Sequence, residues 1–282
     1  MNKFSLADVI YWLGMSSATE AFYQTLKVAG KGSENTEEKL DTAIKSLKEL
    51  RLIFQESGMA DCEEFANSAI QQLSKSGSDV SSTTAFLYAF RESVLRSLKK
   101  RFFVQILPDR SEYLDQDHLF GENVSVAFPS AERDIKEAGN CLAAECNTAA
   151  VFHLMRAAEF AMRALARDRN VEFKDKPIEE KEWGQILTNL ESKVSKLRSD
   201  DRKLWKGSDQ ARESQMRFYA EVVQELRGFN DAWRRHLSHA DTSAFYERDI
   251  AVGVLKHVNN FMQKLAVKIS ESTVTPEYWL VP

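Results

Sequence analysis

Apolar side chains recur at helical spacing along most of the chain. The pattern predicts amphipathic helices at residues 6–27, 37–57, 61–74, 83–101, 130–145, 148–169, 183–197, 211–235 and 243–269. In such a helix one apolar stripe is buried against neighbouring helices, while the opposite face remains in water. Because these segments account for most of the sequence, we predict an all-α protein built as a helical bundle.

A strand-like pattern is found near the middle of the chain. The best strand candidate is FFVQIL, residues 102–107, which Pro108 stops. A short second strand is predicted at Val124–Ala127, inside an irregular connector over residues 108–129. We therefore predict a mostly helical N-terminal region at residues 1–129 that contains a short β connector.

We place a domain boundary near Pro129, so that a second domain covers residues 130–282. Ser130 is expected to cap the first helix of this domain, with Asp134 in the acidic first turn. The segment at residues 170–210 contains the polar runs KDKPIEEKE and RSDDRK, which are too highly charged for a core. We expect this segment to form a charged excursion from the bundle that contains one helix.

The composition is typical of a folded, soluble protein. The chain has 282 residues, and 43% of them are hydrophobic, which is enough for a sizeable core. The formal net charge is −4, so a polyanion would be attracted by a local basic patch and not by the whole molecule. Three cysteines without a CxxC pair favour reduced thiols in a cytoplasmic protein over a structural zinc site. No apolar stretch approaches the length needed to cross a membrane.

Several common catalytic motifs are missing from the sequence. It contains no GxxxxGK(S/T) loop, no GxGxxG after a strand, no HExxH and no GxSxG. Nucleotide-hydrolase, dinucleotide, zinc-protease and serine-hydrolase chemistries therefore lose support. His118 and His257 stand alone, so we interpret each as a surface or core histidine and not as a ligand.

The main chemical candidate is a basic cluster in FNDAWRRHLSHADTSAF, residues 229–245. It contains Arg234, Arg235, His236 and His239, where a long amphipathic helix passes towards the next one. A fixed cation beside an imidazole that titrates near neutrality suits a phosphodiester, because the cation neutralises charge while the imidazole moves protons.

Convergence of these side chains depends on where the helix ends. In a continuous helix Arg234 and His239 would lie roughly 140° apart, so they converge only if the helix ends between them. Arg235 and His239, or His236 and His239, would share a face if the helix continues. We expect a sharp turn just past Trp233, which would let a guanidinium and an imidazole bind one phosphate together.

A basic stripe follows one face of the helix predicted at residues 148–169. Its members are His153, Arg156, Phe160, Arg163 and Arg167. Two interpretations stay open. These residues are solvated or paired with acids, for instance Arg156 with Glu159, or the stripe borders the same cleft as the Arg/His cluster. In the second case His153, Arg156 and Glu159 are candidate substrate-binding residues.

The densest basic run is RSLKKR, which ends the helix predicted at residues 83–101. A solvated helix end, favoured by the helix dipole, is the preferred interpretation. The alternative is that Lys99, Lys100 and Arg101 form a resting surface for RNA or phosphate.

Residues of about 130–270 resemble the HEPN superfamily (higher eukaryotes and prokaryotes nucleotide-binding domain). The sequence RRHLSHA is similar to the R-x4-6-H motif of that family, and FGENVSVAFPSAERDIKEAGNCLAAECNTAAVFHLMRAAE resembles bacterial HEPN-like proteins. The resemblance covers about half of the chain. It implies an up-down helical bundle that forms a homodimer in which two motifs face each other. Catalytic members of the family are metal-independent ribonucleases, often of toxin–antitoxin, abortive-infection or antiphage systems.

Carried over to this sequence, the motif arginine is Arg234 and the motif histidine is His239. The position after the arginine, commonly Asn, Asp or His in the family, is Arg235 here. This departure leaves a second register open, in which Arg235 is the arginine with His236 beside it, and only three residues separate Arg235 from His239. Glu159 and Arg156 are candidates for orienting the site.

The mechanism that the resemblance implies also fits the chemistry of RNA, which supplies its own nucleophile as the 2′-hydroxyl. His239 would transfer protons, Arg234 and Arg235 would stabilise the transition state, and neither a metal nor a cofactor would be required. The implied partners are RNA, a second copy of the chain and an antitoxin or defence-system protein. The alternative is a catalytically silent HEPN-like module that binds RNA, nucleotide or a partner protein, in which Arg234 and His239 belong to a structural polar network.

Overall fold

The structure is a computed structural model. It describes residues 6–29, 36–75, 80–101, 105–199, 208–238 and 246–272. The chain forms two compact units, Met1–Phe103 and Val104–Pro282. Each unit has its own cluster of buried hydrophobic side chains.

The described part of the first unit consists of four helices: α1 (Leu6–Ala29), α2 (Thr36–Glu56), α3 (Ala60–Leu73) and α4 (Val80–Leu98). Contacts join α1 to α2, α2 to α3, α3 to α4 and α4 back to α1. Each helix therefore has two neighbours around a common core. Leu47, Leu50 and Phe54 of α2 and Leu87 and Val94 of α4 have no exposed area in that core.

The described part of the second unit contains seven α-helices and four short turns of other helical types. The α-helices are α5 (Glu122–Ala127), α6 (Glu132–Ala143), α7 (Asn147–Asp168), α8 (Trp183–Ser199), α9 (Asp209–Phe229), α10 (Arg235–Ser238) and α11 (Arg248–Ala266). Three 3-10 turns lie at Pro108–Tyr113, Pro129–Ala131 and Ile178–Glu180, and a π-helical turn lies at Asn230–Arg234.

Helix α7 lies at the centre of the second unit. It packs against α6, α8, α9 and α11. Its buried face is rich in alanine: Ala157, Ala158 and Ala161 have no exposed area. Small side chains let neighbouring backbones approach closely, so this sequence suits a helix surrounded by other helices.

Every described element is helical, which confirms the all-α prediction. The strand predicted at Val124–Ala127 is wrong, because these residues belong to α5. The burial pattern gives the reason. Val124 and Ala127, three residues apart, are both buried, whereas Val126 is 75% exposed. A strand would place Val124 and Val126 on the same face. In the other strand candidate, residues 102–104 lie outside the described residues, and residues 105–107 form no regular element.

The connector over residues 105–129 packs into the second unit. Phe120 and Phe128 are buried in the core of that unit. Gly139 of α6 permits a close approach, since a Cβ atom there would lie 2.6 Å from the Tyr113 carbonyl oxygen. Along the chain the first unit ends at Phe103 and the second begins at Val104. This boundary lies earlier than the one predicted near Pro129.

Two further features of the second unit differ from expectation. Ser130 does not cap α6: its hydroxyl donates to Glu271 Oε2 at 2.7 Å, and no side chain caps this helix. Within the segment predicted as a charged excursion, Ile186, Leu187 and Leu190 of α8 are fully buried in the core. This part of the segment therefore packs with the bundle, while its charged residues Glu191, Lys193 and Lys196 remain exposed.

A buried polar cluster joins the end of α7 to α9. Asp168 Oδ2 accepts hydrogen bonds from the Tyr219 hydroxyl at 2.9 Å and from Arg169 Nε at 2.8 Å. The Arg169 guanidinium lies 4.2 Å from the centroid of the Tyr219 ring. All three residues are buried. Removal of the carboxylate would leave a buried cation without its counter-ion.

We expect Asp168→Ala to lower the free energy of unfolding by about 3–5 kcal/mol, because it removes the carboxylate that pairs with the buried Arg169. Urea unfolding followed by circular dichroism measures the change. Asp109→Ala is the matched control, since Asp109 also pairs with an arginine, Arg248, but its side chain is 56% exposed. The control should change the stability little. Equal losses in the two variants would contradict the importance of burial.

Candidate functional site

The chain remains helical through Arg234, Arg235 and His236 of the Arg/His cluster. Helix α9 ends at Phe229, the π-helical turn follows at Asn230–Arg234, and α10 continues to Ser238. The sharp turn expected just past Trp233 is therefore absent. A π-helical turn is rare and is often found at functional sites. His239 lies outside the described residues, so its position relative to Arg234 remains a prediction.

Aromatic packing fixes the π-helical turn to the core. The Trp233 ring stacks on Phe229 with a centroid distance of 5.4 Å. The edge of His257 contacts Trp233 at 5.6 Å and Phe229 at 4.9 Å. Because Phe229 is fully buried, this contact holds the start of the turn against α11.

A cleft of about 570 Å³ lies beside this turn. Its walls come from α7, from the segment that leads into α8, and from the π-helical turn and the start of α10. The lining residues are Glu159, Arg163, Glu179, Glu180, Lys181, Glu182, Trp183, Gly184, Asn230, Arg234 and Arg235. Its volume lies within the range of small-molecule sites.

Glu159 organises one wall of the cleft. Its Oε2 accepts a hydrogen bond from Trp183 Nε1 at 2.7 Å, and its Oε1 accepts one from Arg163. Arg163 Nη2 also donates to the Glu179 carbonyl oxygen at 2.8 Å. The side chains of Glu159 and Arg163 are each 17% exposed. These bonds tie α7 to the segment before α8 and give the wall a fixed shape.

The cleft contains as many basic as acidic side chains, four of each. Lys181 is engaged outside the cleft lining, since its Nζ binds Asp175 at 2.6 Å and lies 4.9 Å from the Phe173 ring. The Arg235 side chain is 68% exposed, and its Nη1 lies 4.0 Å from Asp231. The most accessible cation of the cleft therefore lies on the Arg/His cluster.

Glu179 is held as a carboxylate at the cleft rim. A hydrogen bond from its own backbone amide, together with the guanidinium groups of Arg167 and Arg163, lowers the pKa of Glu179. Arg167 donates directly to the Glu179 carboxylate. The ion pair is partly exposed, with side-chain exposures of 39% for Arg167 and 49% for Glu179.

The predicted site residues fall into separate places. Arg234 and Arg235 line the cleft, together with Glu159. His236 is exposed on α10 and is not among the lining residues, and His239 lies outside the described residues. The predicted basic stripe is therefore divided, because its Arg163 reaches the cleft while its N-terminal members lie elsewhere.

Asp134 of α6 accounts for that division. Its Oδ1 accepts hydrogen bonds from His153 Nδ1 at 2.8 Å and from Arg156 Nε at 2.9 Å. The pair that we considered between Arg156 and Glu159 does not form, because each residue has another partner. Asp134 was expected only as an acidic residue of a helix first turn. The sequence carried no signal for a contact between residues 19 and 22 positions apart.

The basic run after α4 belongs to the first unit. Arg101 donates to the carboxylate of Asp61, and this contact holds the pKa of Asp61 well below its ordinary value. Lys99 and Lys100 are exposed. Of the three residues proposed as a resting surface for RNA, Arg101 is therefore already paired within its own unit.

Neither a metal-binding cluster nor a membrane-spanning helix is found among the described residues. No group of three or more His, Cys, Asp and Glu side chains there is placed to hold a metal ion. No helix in the described part of the chain is both long and apolar enough to span a bilayer. Cys62 is buried, Cys141 is half-buried and Cys146 is exposed, and all three are free thiols.

Comparison of the chain with protein-family models, with curated proteins and with solved structures finds no match.

We expect Glu179→Gln to lower the free energy of unfolding by about 0.5 kcal/mol at neutral pH, since the pair with Arg167 is partly exposed. A carboxyl group with a lowered pKa stabilises the folded state above its ordinary pKa, and this contribution is lost as the pH falls through the folded-state value. The difference between wild type and variant should therefore vanish in acid. Denaturant unfolding at a series of pH values measures it.

Glu180→Gln is the matched control, because Glu180 lies 3.9 Å from Lys176 and both side chains are 60% exposed. It should change the stability less than Glu179→Gln at neutral pH. A destabilisation by Glu179→Gln that persists in acid would show that the ion pair is not its cause.

Proposed function

We propose that the protein is a metal-independent endoribonuclease of HEPN type. The observation that supports the proposal is that Arg234 and Arg235 line a cleft of about 570 Å³. Glu159 and Arg163 of the buried helix α7 also line this cleft. Two arginines at the edge of a rigid pocket suit a phosphodiester, because guanidinium groups form paired hydrogen bonds to phosphate oxygens.

In the proposed reaction the 2′-hydroxyl of RNA attacks the adjacent phosphorus. A histidine, His239 or His236, removes the 2′-hydroxyl proton as the new O2′–P bond forms. The P–O5′ bond breaks, and a second imidazole gives a proton to the leaving 5′-oxygen. The products are a 2′,3′-cyclic phosphate and a 5′-hydroxyl end. The reaction involves no change of oxidation state. One imidazole accepts the proton of the 2′-hydroxyl, and the second imidazole gives its proton to the 5′-oxygen.

Arg234 and Arg235 would stabilise the additional negative charge on the phosphorus oxygens in the transition state. Glu159 would orient the site through Arg163, to which it is hydrogen-bonded. A homodimer in which two Arg/His clusters face each other would supply both imidazoles, and it would add a second pair of arginines to a cleft that has no excess of positive charge of its own.

A regulated cytoplasmic effector of the toxin or antiphage class is the biological role that we propose with this activity. Unrestrained cleavage of RNA would harm the cell that makes the protein. An antitoxin or another defence-system protein is accordingly the proposed partner. The up-down HEPN bundle is proposed for the second unit, whose helices α6, α7, α9 and α11 surround one core.

One observation favours a second candidate function. Glu159, Glu179, Glu180 and Glu182 line the same cleft as the arginines, and Arg163 is already bound to Glu159. Carboxylates repel a polyanion. A catalytically silent module, which binds nucleotide, RNA or a partner protein without cleaving RNA, would tolerate such a lining.

Purified protein incubated with labelled RNA in excess EDTA tests the proposal. We expect cleavage in the chelator, with products that carry 2′,3′-cyclic phosphate ends. His239→Ala should slow the reaction by about 10²–10⁴-fold through loss of proton transfer. Arg234→Ala should slow it by about 10²–10³-fold through loss of transition-state stabilisation. His236→Ala and Arg235→Ala decide between the two possible registers of the motif.

Two matched controls lie on exposed surface of the second unit outside the cleft lining. They are His118→Ala and Arg217→Ala, which remove the same side-chain types. Both should leave the rate unchanged. Cleavage that is equally strong in all variants would indicate a contaminating ribonuclease, and binding of RNA without cleavage in every sample would favour the silent module.

A further inference from the structure

The contact between α6 and α7 holds a polar cluster that the cleft does not use. At its centre is Asp134, whose side chain is 9% exposed. One carboxylate oxygen, Oδ1, binds both His153 and Arg156 of α7. A nearly buried carboxylate with two basic partners fixes the orientation of both.

The hydrogen bond to Asp134 determines which ring nitrogen of His153 points outward. Nδ1 donates to the carboxylate, so the second ring nitrogen, Nε2, is the one left to meet a ligand. No protein partner for Nε2 is present within the part of the chain that the structure describes. The His153 side chain is 27% exposed, so part of the ring is reachable from solvent.

Arg156 is arranged in the same way. Its Nε is engaged with Asp134, while the side chain as a whole is 52% exposed. The two terminal nitrogens of the guanidinium are the donors that remain for a ligand. The guanidinium carbon lies 6.0 Å from the centroid of the Phe152 ring.

Phe152 completes the surface with an aromatic ring. It is 43% exposed, although it is large and apolar. Its ring meets His153 edge to face, with a centroid distance of 5.8 Å. An imidazole, a guanidinium and a partly exposed aromatic ring therefore lie side by side on one helix.

We infer that Phe152, His153 and Arg156 form a binding subsite for one nucleotide of single-stranded RNA. The base stacks on the exposed Phe152 ring, and the phosphate binds the terminal nitrogens of Arg156. The ribose 2′-hydroxyl pairs with His153 Nε2. Asp134 is a positioning residue, because it acts through the two side chains that it holds. The inference rests on the proposed function only in taking RNA as the ligand.

The chemistry of the cluster favours RNA over other anions. A 2′-hydroxyl is both a donor and an acceptor, so it can pair with Nε2 whether the imidazole is neutral or protonated. The carboxylate of Asp134 offsets the charge of Arg156, which leaves little net field to attract a simple anion. Recognition must then come from stacking on the Phe152 ring and from the contact between His153 and the ribose. A nucleotide can form both contacts.

The experiment is equilibrium binding of a short fluorescent single-stranded RNA, and of DNA with the matching sequence, to the full chain in EDTA. The same samples are run on a denaturing gel to follow cleavage. Wild type should bind RNA more tightly than DNA. His153→Ala should weaken RNA binding about three- to ten-fold and leave DNA binding unchanged, because only RNA offers the hydroxyl.

Three further variants separate the contacts. Phe152→Ala should weaken both ligands about ten-fold through loss of stacking. Arg156→Gln should also weaken both and should reduce the slope of log affinity against log salt by about 0.7, the value for one phosphate contact on a single strand. Asp134→Asn should lower the preference for RNA over DNA, since a neutral amide oxygen holds His153 less strongly than a carboxylate does. Arg133→Gln, at an exposed arginine of α6, is the matched control for Arg156→Gln and should change neither affinity.

Thermal unfolding followed by circular dichroism identifies any variant that has lost its fold. Phe152→Ala and Arg156→Gln change exposed residues, so the test does not depend on whether the variant of the buried Asp134 folds. Equal weakening of RNA and DNA by His153→Ala would overturn the inference. A loss with Arg133→Gln as large as that with Arg156→Gln, or no RNA binding by wild type, would also overturn it. The expected binding pattern without any cleavage would support the subsite while refuting the ribonuclease.

Discussion

The burial of α7 among four neighbouring helices is the constraint on which the second unit depends. Ala157, Ala158, Ala161 and Ala164 lie on its buried face, and none of them exposes more than 1% of its surface. A larger side chain at these positions would have to displace a neighbouring backbone. The helix therefore has a fixed rotation about its own axis, and every polar residue on it has a fixed direction.

Two polar sites on α7 follow from that fixed rotation. Glu159 and Arg163 point to the cleft beside the π-helical turn, whereas His153 and Arg156 point to α6. In both places a carboxylate binds an arginine of α7: Glu159 of α7 binds Arg163, and Asp134 of α6 binds Arg156. Any anionic ligand must therefore compete with, or add to, an existing ion pair, so recognition depends on geometry and not on net positive charge.

The sequence predicted the helices correctly where one helix face is buried and the other is exposed to solvent. The 3.6-residue period located the long helices of both units to within a few residues, because the burial of each stripe follows the same period. It failed at Val124–Ala127, where four residues are too few to tell a period of two from a period near four. It also placed residues 170–210 outside the bundle, since the charge of the segment hid the buried apolar side chains of α8.

The candidate site was harder to predict than the fold. Arg234 and Arg235 reach a cleft, as the Arg/His cluster suggested, but the partners of the basic stripe could not be read from spacing. Asp134 and His153 belong to different helices, and their contact depends on how these helices pack. Pairing rules for one helix cannot supply such a contact, because they describe neighbours one turn apart.

The π-helical turn at Asn230–Arg234 has a consequence for how this protein can change by insertion and deletion. Such a turn contains one residue more than a regular α-helical turn. Loss of one residue there would restore ordinary hydrogen bonding and would rotate α10, which continues the helix, by about 100° relative to α9. Phe229 and the buried face of α9 precede the turn and would keep their places. A single codon thus separates two orientations of the arginines, and the same change would move Trp233, which packs on Phe229 and His257.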